Sequence, residues 1–406
     1  MWCDVMIRKI KILFVLSLLL LVSIGAVSAI EDADMNITSS DGDIIETSDA
    51  IDVVSSAEEE TVISDSSDDV LSDEPITVTA QNYLSYFDKN GNAQSTINEG
   101  DTVKLDGSFS NVNFIFNKKV NVEGTSSCSL SGCTVKLLSG ASGSVVSNLI
   151  IRNYADYAQG VCLDGADECI VKNCFINNTG QSSYAIALGN NANNNQIIDN
   201  QLSCYGETYG HNARSTPPLV VFGSHNNYIA NNHLECDDAN GIYFSNYGGG
   251  PFTGGESNYN TIFNNTIKYN VLPTSWSYGI QVMGSYNLID SNTVIGAYRG
   301  ISTVVSQYSP GGNIIVNNRV VNLIGNDFSN GRPSGGENAI VGTYNSIIKN
   351  NRIENASIMA SGSGISALDN STVENNYVEV ANYAGKGRTS ENTCLHIWPV
   401  YGGAFA

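Results

Sequence analysis

Two adjacent carboxylates, Asp237 and Asp238, stand just before Asn240-Gly241-Ile242, Arg299 stands just before Gly300-Ile301, and Glu337 follows farther along the chain. Carboxylates in pairs can divide acid and base duties in cleaving a glycosidic bond. An arginine can act as the base of an elimination, commonly beside acidic residues that hold Ca²⁺. Calcium enters only with that elimination reading, and no other cofactor or resident metal is expected, because C-x-x-C is missing and only four histidines occur. Arg299 and Glu337 read equally well as a rim salt bridge. A second group of side chains points to binding rather than bond-breaking: Tyr243, Tyr247, Trp276, Tyr278 and Tyr298, with Gln281 among them. Flat rings suit the apolar faces of sugars, and hydroxyls and amides suit their polar edges. Each ring taken singly also has a plainer reading, packing of a loop against the body of the protein.

The elements that must position these residues repeat. A phrase close to N-x-I-x-x-N-x-I recurs nine times between Asn148 and Val378, most clearly at Asn195–Leu202, Asn227–Leu234, Asn260–Ile267, Asn287–Val294 and Asn313–Val320. Its second asparagine marks each copy: Asn153, Asn173, Asn200, Asn232, Asn265, Asn292, Asn318, Asn351 and Asn376, spaced 20 to 33 residues apart. A period in that range implies a solenoid. Each copy has a partner segment, a small residue followed by alternating apolar positions, as in Gly160–Leu163, Ala185–Leu188, Gly241–Phe244, Gly279–Val282, Gly300–Thr303 and Gly364–Ala367. Period-two alternation rich in β-branched residues reads as strand, so each repeat supplies three short strands. The marker asparagine is expected at the bend between the second and third strands, tolerating a left-handed backbone and forming an amide ladder between stacked copies.

That frame puts Cys162, Ala187, Tyr243, Gln281, Ser302, Val341, Ser366 and His396 on the outward side of the Gly-Ile strands. No acidic ladder appears among them, and no complete catalytic set is assigned. Insertions fall on both sides of the Gly-Ile strand and are expected to wall a groove along that sheet. Cys204 and Cys236 each lie four residues after a marker asparagine, one coil apart, within disulfide reach. They read either as a staple between coils or as two reduced, buried small hydrophobes.

Residues 1–29 read as a secretory signal peptide: Arg8, Lys9 and Lys11 precede an apolar run from Ile12 to Ile24 and a Val27-Ser28-Ala29 site. An uncleaved signal anchor is the one route to a membrane. Residues 30–75 carry 16 acidic and no basic residues among Ser-rich filler, the composition of an extended disordered spacer. Residues 76–406 form the repeat region with its cap, where about −7 of the chain's net charge of −21 resides, so nucleic acid is excluded as a partner. The cap is Ile76–Phe87, a strand entering a short helix with Thr79 as N-cap and Tyr83, Leu84 and Phe87 on its apolar face.

The repeat resembles the right-handed parallel β-helix of pectate-lyase-like and NosD-like proteins over about residues 100–400, which implies an all-β solenoid with a substrate cleft on the Gly-Ile sheet. The order of signal, acidic spacer, entry segment and Asn-rich coils resembles adhesin-like surface proteins of methanogenic archaea. That resemblance implies a secreted or cell-surface protein binding extracellular or cell-wall glycans. The Asp237-Asp238 pair resembles the paired aspartates of polygalacturonase-like enzymes, but Tyr209-Gly210-His211-Asn212 lacks their Gly-His-Gly, and their Asn-Thr-Asp and Arg-Ile-Lys signatures are absent. A polysaccharide lyase or glycoside hydrolase on the same scaffold is the competing function.

Overall fold

A computed structural model describes residues 74–398 except 181, 205–216, 272, 274–276, 305–308, 325, 328–331, 334–335 and 382–392. Residues 1–29, read above as a signal peptide, and nearly all of the expected spacer lie outside the described residues. From Ile76 onward the chain winds through three parallel sheets, in register coil after coil. Sheet 1 holds the strands that precede the marker position and has twelve members, from Ile76–Val78 to Thr372–Glu374. Sheet 2 holds the strands that follow the marker, and sheet 3 the Gly-Ile strands. The last two are joined through one long strand, Arg352–Leu368, which passes from sheet 2 into sheet 3. This is the right-handed parallel β-helix expected from the repeat.

Inward side chains of all three sheets form one continuous apolar core. Ile197, Ile229, Ile262, Ile289, Ile315 and Ile348 line it from sheet 1, and Leu202, Leu234, Ile267, Val294, Val320 and Ile353 from sheet 2. A coil cannot bury this face alone, so stacking supplies both the core and the backbone pairing. From Val145 onward the turn from sheet 1 to sheet 2 is two residues, as between Ile198 and Gln201 or between Phe263 and Thr266, whereas four residues separate Gly124 from Ser129 in an earlier coil. Past that coil, length variation falls on the two sides of sheet 3, where 246–260 is one insertion. Glycine opens the Gly-Ile strands because the backbone there presses on sheet 2: a Cβ on Gly279 would stand 2.3 Å from Val294 Cγ1.

The asparagine ladder exists, with a correction of register. The marker asparagine is buried from Asn200 to Asn351 and half-buried at Asn376, while the left-handed residue is the one before it: Asp199, Asn231, Asn264, Ser291, Asn317, Asn350 and Asn375. Asn173 belongs to that left-handed row, and Cys174 fills its coil's ladder position, donating its N–H to Asn200 Oδ1 at 3.0 Å. Asn153 is displaced farther, since it pairs with Asn178, in the row that continues to Cys204 at the far end of sheet 2, and its amide bonds Cys133 and Gln159 there. Asn200, Asn232, Asn265, Asn292, Asn318, Asn351 and Asn376 form one unbroken chain, each Nδ2 reaching the next Oδ1 at 2.9 to 3.0 Å. A second ladder runs through the first asparagine of the repeat, Asn195, Asn227, Asn260, Asn287 and Asn313.

The cap is smaller than expected. The helix spans only Tyr83–Tyr86 and its N-cap is Asn82, not Thr79; the Thr79 N–H donates to Asn82 Oδ1 at 2.7 Å. Leu84 is 69% exposed, whereas Tyr83 and Phe87 pack with Phe109, Phe114 and Phe116 over the first coil.

Cys204 and Cys236 are register partners on adjacent strands, yet both thiols are free, so the staple is not formed and the buried-pair reading holds. In-register neighbours of a parallel sheet project their Cβ atoms side by side at the strand spacing of about 4.8 Å. A disulfide needs them converging to about 3.8 Å. Burial pushes the Cys174 and Cys204 thiols up to about 12 and Cys236 well above its ordinary value. Iodoacetamide at about pH 8 should therefore leave these three untouched in the native protein and modify all three after denaturation without reductant. Recovery of a linked Cys204–Cys236 peptide would refute the free pair.

Candidate functional site

The outward row of sheet 3 reads Lys136, Cys162, Ala187, Val220, Tyr243, Gln281, Ser302, Val341, Ser366 and His396 in register. Every outward position expected from the repeat is in place; the side chain of His396 lies outside the described residues. Val220 was missed because Leu219–Phe222 has no glycine before its apolar run. The Pro217-Pro218 pair ahead of it and Gly223 after it were the available signal for a buried strand.

The row divides in two. At Cys162, Ala187 and Val220 the outward face is fully buried beneath the insertion that follows Ser245. Phe252 of that insertion stacks on Phe222 at 5.3 Å and lies over Gly189, where a Cβ would stand 2.2 Å from its ring. The Thr253 N–H and hydroxyl donate to Asn190 Oδ1, and Asn190 Nδ2 donates to Asp164, itself paired with Lys136 at 2.6 Å. This half of the groove is thus filled by the protein's own chain, with Tyr184 and Tyr243 packed at the border.

Beyond the border lies the candidate site. Tyr243 is half-buried and Tyr247, at the mouth, is 70% exposed. Gln281 is fixed by Asn240, whose Nδ2 donates to Gln281 Oε1 at 3.0 Å while its Oδ1 accepts the Tyr278 N–H at 3.0 Å. Asn240 was not singled out from the sequence, although it precedes Gly241 as Tyr278 precedes Gly279 and Arg299 precedes Gly300. Arg299 donates to the Tyr278 hydroxyl at 2.5 Å, with its guanidinium carbon 4.8 Å from the Tyr278 ring centroid and 5.7 Å from that of Tyr298. This is cation–π packing. Tyr298 is buried, so its ring supports Arg299 rather than facing the groove, a correction to its expected role. Trp276 and the side chain of Glu337 lie outside the described residues.

The two aspartates occupy the turn between Cys236 and Ile242, on the rim where sheet 2 gives way to sheet 3. Asp238 is buried and Asp237 half-buried. Burial, and then repulsion from Asp238 and Glu235, holds the Asp237 carboxyl above its ordinary value. The turn is braced from below by Tyr269, whose buried hydroxyl lies 2.7 Å from Ala239 O and 2.6 Å from Tyr278 O. Among the described residues no group of three or more His, Cys, Asp or Glu side chains could hold a metal ion, and no helix is long and apolar enough to cross a membrane.

Among solved structures, the chain is similar to the catalytic domain of a GH87 α-1,3-glucanase in complex with tetrasaccharides, at 16% identity and a TM-score of 0.53 over 79% of this chain and 58% of that one. It is also similar to the same kind of domain in complex with nigerose, at 16% identity and a TM-score of 0.52 over 76% and 57%. An alginate lyase from Paenibacillus sp. str. FPU-7 matches at 12% identity and a TM-score of 0.40 over 80% and 98%. The chain spans less than three fifths of the two glucanase domains, and at these identities the likeness is one of fold. No curated protein sequence matches. Residues 120–322, half of the chain, match the family described as the right handed beta helix region, and with three parallel sheets in continuous register the chain belongs to that family.

Proposed function

We propose that this is a secreted or cell-surface, adhesin-like protein that binds a glycan in the half of the sheet 3 groove beyond Tyr243. The observation that carries the reading is the row from Tyr243 through Gln281 to Ser302, aromatic and uncharged, with Gln281 held in place by Asn240. The half-buried Tyr243 supplies a ring face, with the polar side chains of Gln281 and Ser302 buried behind it as the floor of the groove. The β-helical domains of similar fold in complex with nigerose and with tetrasaccharides are consistent with a sugar ligand. The export signal of residues 1–29 and the acidic spacer supply the rest of the reading, since weak sites displayed beyond a flexible segment gain from multivalency.

A second reading, hydrolysis or elimination on the same scaffold, is favoured by Asp237 and Asp238. A carboxyl held above its usual pKa beside a second carboxyl suits a general acid. A glycan array followed by sizing of the bound products separates the two. Binding without cleavage, weakened about tenfold or more by Tyr243→Ala or Gln281→Ala, roughly 1.4 kcal/mol, is the expected outcome. New reducing or unsaturated ends, lost in Asp238→Ala or Arg299→Ala, would replace the adhesin reading with an enzyme.

A further inference from the structure

We infer that the corner where sheet 3 turns into sheet 1 carries a second ligand surface, built on Tyr259 and Tyr286, that takes the uncharged ring of a sugar. It stands on observations separate from the groove. In register, this corner reads Glu168, Asn194, Asn226, Tyr259, Tyr286, Gly312, Asn345 and Asn370, and every one of these residues is left-handed. Asparagine and glycine enter that region readily, whereas a bulky side chain does so only under strain. Tyr259 at φ 60° and Tyr286 at φ 59° break the pattern in two successive coils. Strain of this kind, kept where the neighbouring coils avoid it, marks a working position more often than a packing one.

Both rings are also exposed, Tyr259 at 57% and Tyr286 at 45%. They stack with centroids 5.2 Å apart and planes 12° from parallel. That separation exceeds face-to-face contact of about 3.5–4.0 Å, so the rings are offset and each leaves part of a face uncovered. Gly312 fixes the pair from the next coil, because a Cβ there would stand 2.8 Å from the Tyr286 ring. Along the corner row the pair is bordered on one side by the exposed Asn226, and on the other, beyond Gly312, by the exposed Asn345, whose carboxamide bonds Pro310 O and Asn370.

Size and charge select the occupant. The two rings present roughly 200 Å², far below the 800 Å² or so per partner of a stable protein interface. From Asn194 to Asn370 the corner row carries no charge, and its Glu168 stands three coils from Tyr259, which disfavours ionic ligands at the pair. A flat aromatic face bordered by amides matches a neutral pyranose, with C–H groups on the rings and hydroxyls on the amides.

The test is retention of the full-length protein on insoluble cellulose, chitin, α-1,3-glucan and β-1,3-glucan, with unfolding midpoints measured in parallel. The wild type should be retained on at least one polymer, and the double variant Tyr259→Asn, Tyr286→Asn should lose about tenfold in retention. Its midpoint should hold or rise, because asparagine accepts the left-handed backbone. Tyr154→Asn, at an exposed tyrosine away from both the groove and this corner, should leave this retention intact. Retention on none of the four, equal retention of the double variant, an equal loss with Tyr154→Asn, or a lowered midpoint showing that the tyrosines serve packing would each overturn the inference.

Discussion

Replacing Asn292 with alanine should cost about 3–5 kcal/mol, several times an ordinary surface substitution, although the side chain touches no ligand. Its Oδ1 accepts both the backbone N–H of Asn265 at 2.9 Å and the Asn265 carboxamide at 3.0 Å. Its Nδ2 serves Ile262 O at 2.8 Å and Asn318 Oδ1 at 3.0 Å. Alanine leaves the buried Asn265 N–H without its acceptor, at roughly 1–3 kcal/mol, and takes one hydrogen bond of about 1 kcal/mol each from Ile262 O, the Asn265 carboxamide and Asn318 Oδ1, of which the last two keep other partners. Asn200→Cys should cost less than half as much, because Asn200 ends the ladder and the preceding coil already carries Cys174 at that position. Urea denaturation followed by circular dichroism, with amide exchange read at Asn265, measures both. Equal costs for the two variants would mean that the ladder is not cooperative along the rod.

The same ladder explains what the repeat disclosed and where it misled. Ile197, Ile229 and Ile262 recur at one offset from the marker, so period-two alternation placed them inward and fixed the coil register from Asn200 onward. In the earlier coils Leu149 and Cys174 occupy the ladder position, and a frame built on asparagine alone slid one residue back to Asn173 and four residues on to Asn153. The left-handed residue went to the wrong asparagine for a related reason. Copies such as Asn231-Asn232 and Asn264-Asn265 carry two in a row, and composition does not say which is buried and which turns the corner.

The candidate site was legible only where it is local. Tyr243, Gln281 and Ser302 follow from strand alternation, and their alignment follows from the coil register. The bond from Asn240 to Gln281 spans 41 residues, and the packing of Phe252 on Gly189 spans a longer stretch still. Neither leaves a trace in spacing. Tyr298 and Tyr278 looked alike as rim tyrosines, yet one is buried and the other half-buried, a difference set by neighbouring coils rather than by either residue.

Phe252 should decide whether the filled half of the groove stays filled. A buried phenylalanine cut to alanine loses about 3–5 kcal/mol of packing. Here the loss falls on one insertion lying over a finished rod, so it should open that insertion locally and leave the coils folded. Cys162 reports the event. It is fully buried under the insertion, and burial holds its thiol up to about 12, so it should be inert in the wild type. A local destabilisation of about 3 kcal/mol raises the open fraction roughly a hundredfold, and alkylation of Cys162 in Phe252→Ala should accelerate to match. Gly189→Ala should give the same result from the opposite side of the contact, since its methyl would stand 2.2 Å from the Phe252 ring and evict it. Cys204, inside the rod, is the internal control and should stay protected in both variants. Acceleration at Cys204 as well would mean that the coils themselves had loosened, and no acceleration at Cys162 would mean that the insertion is held by the Asn190 bonds rather than by its phenylalanine.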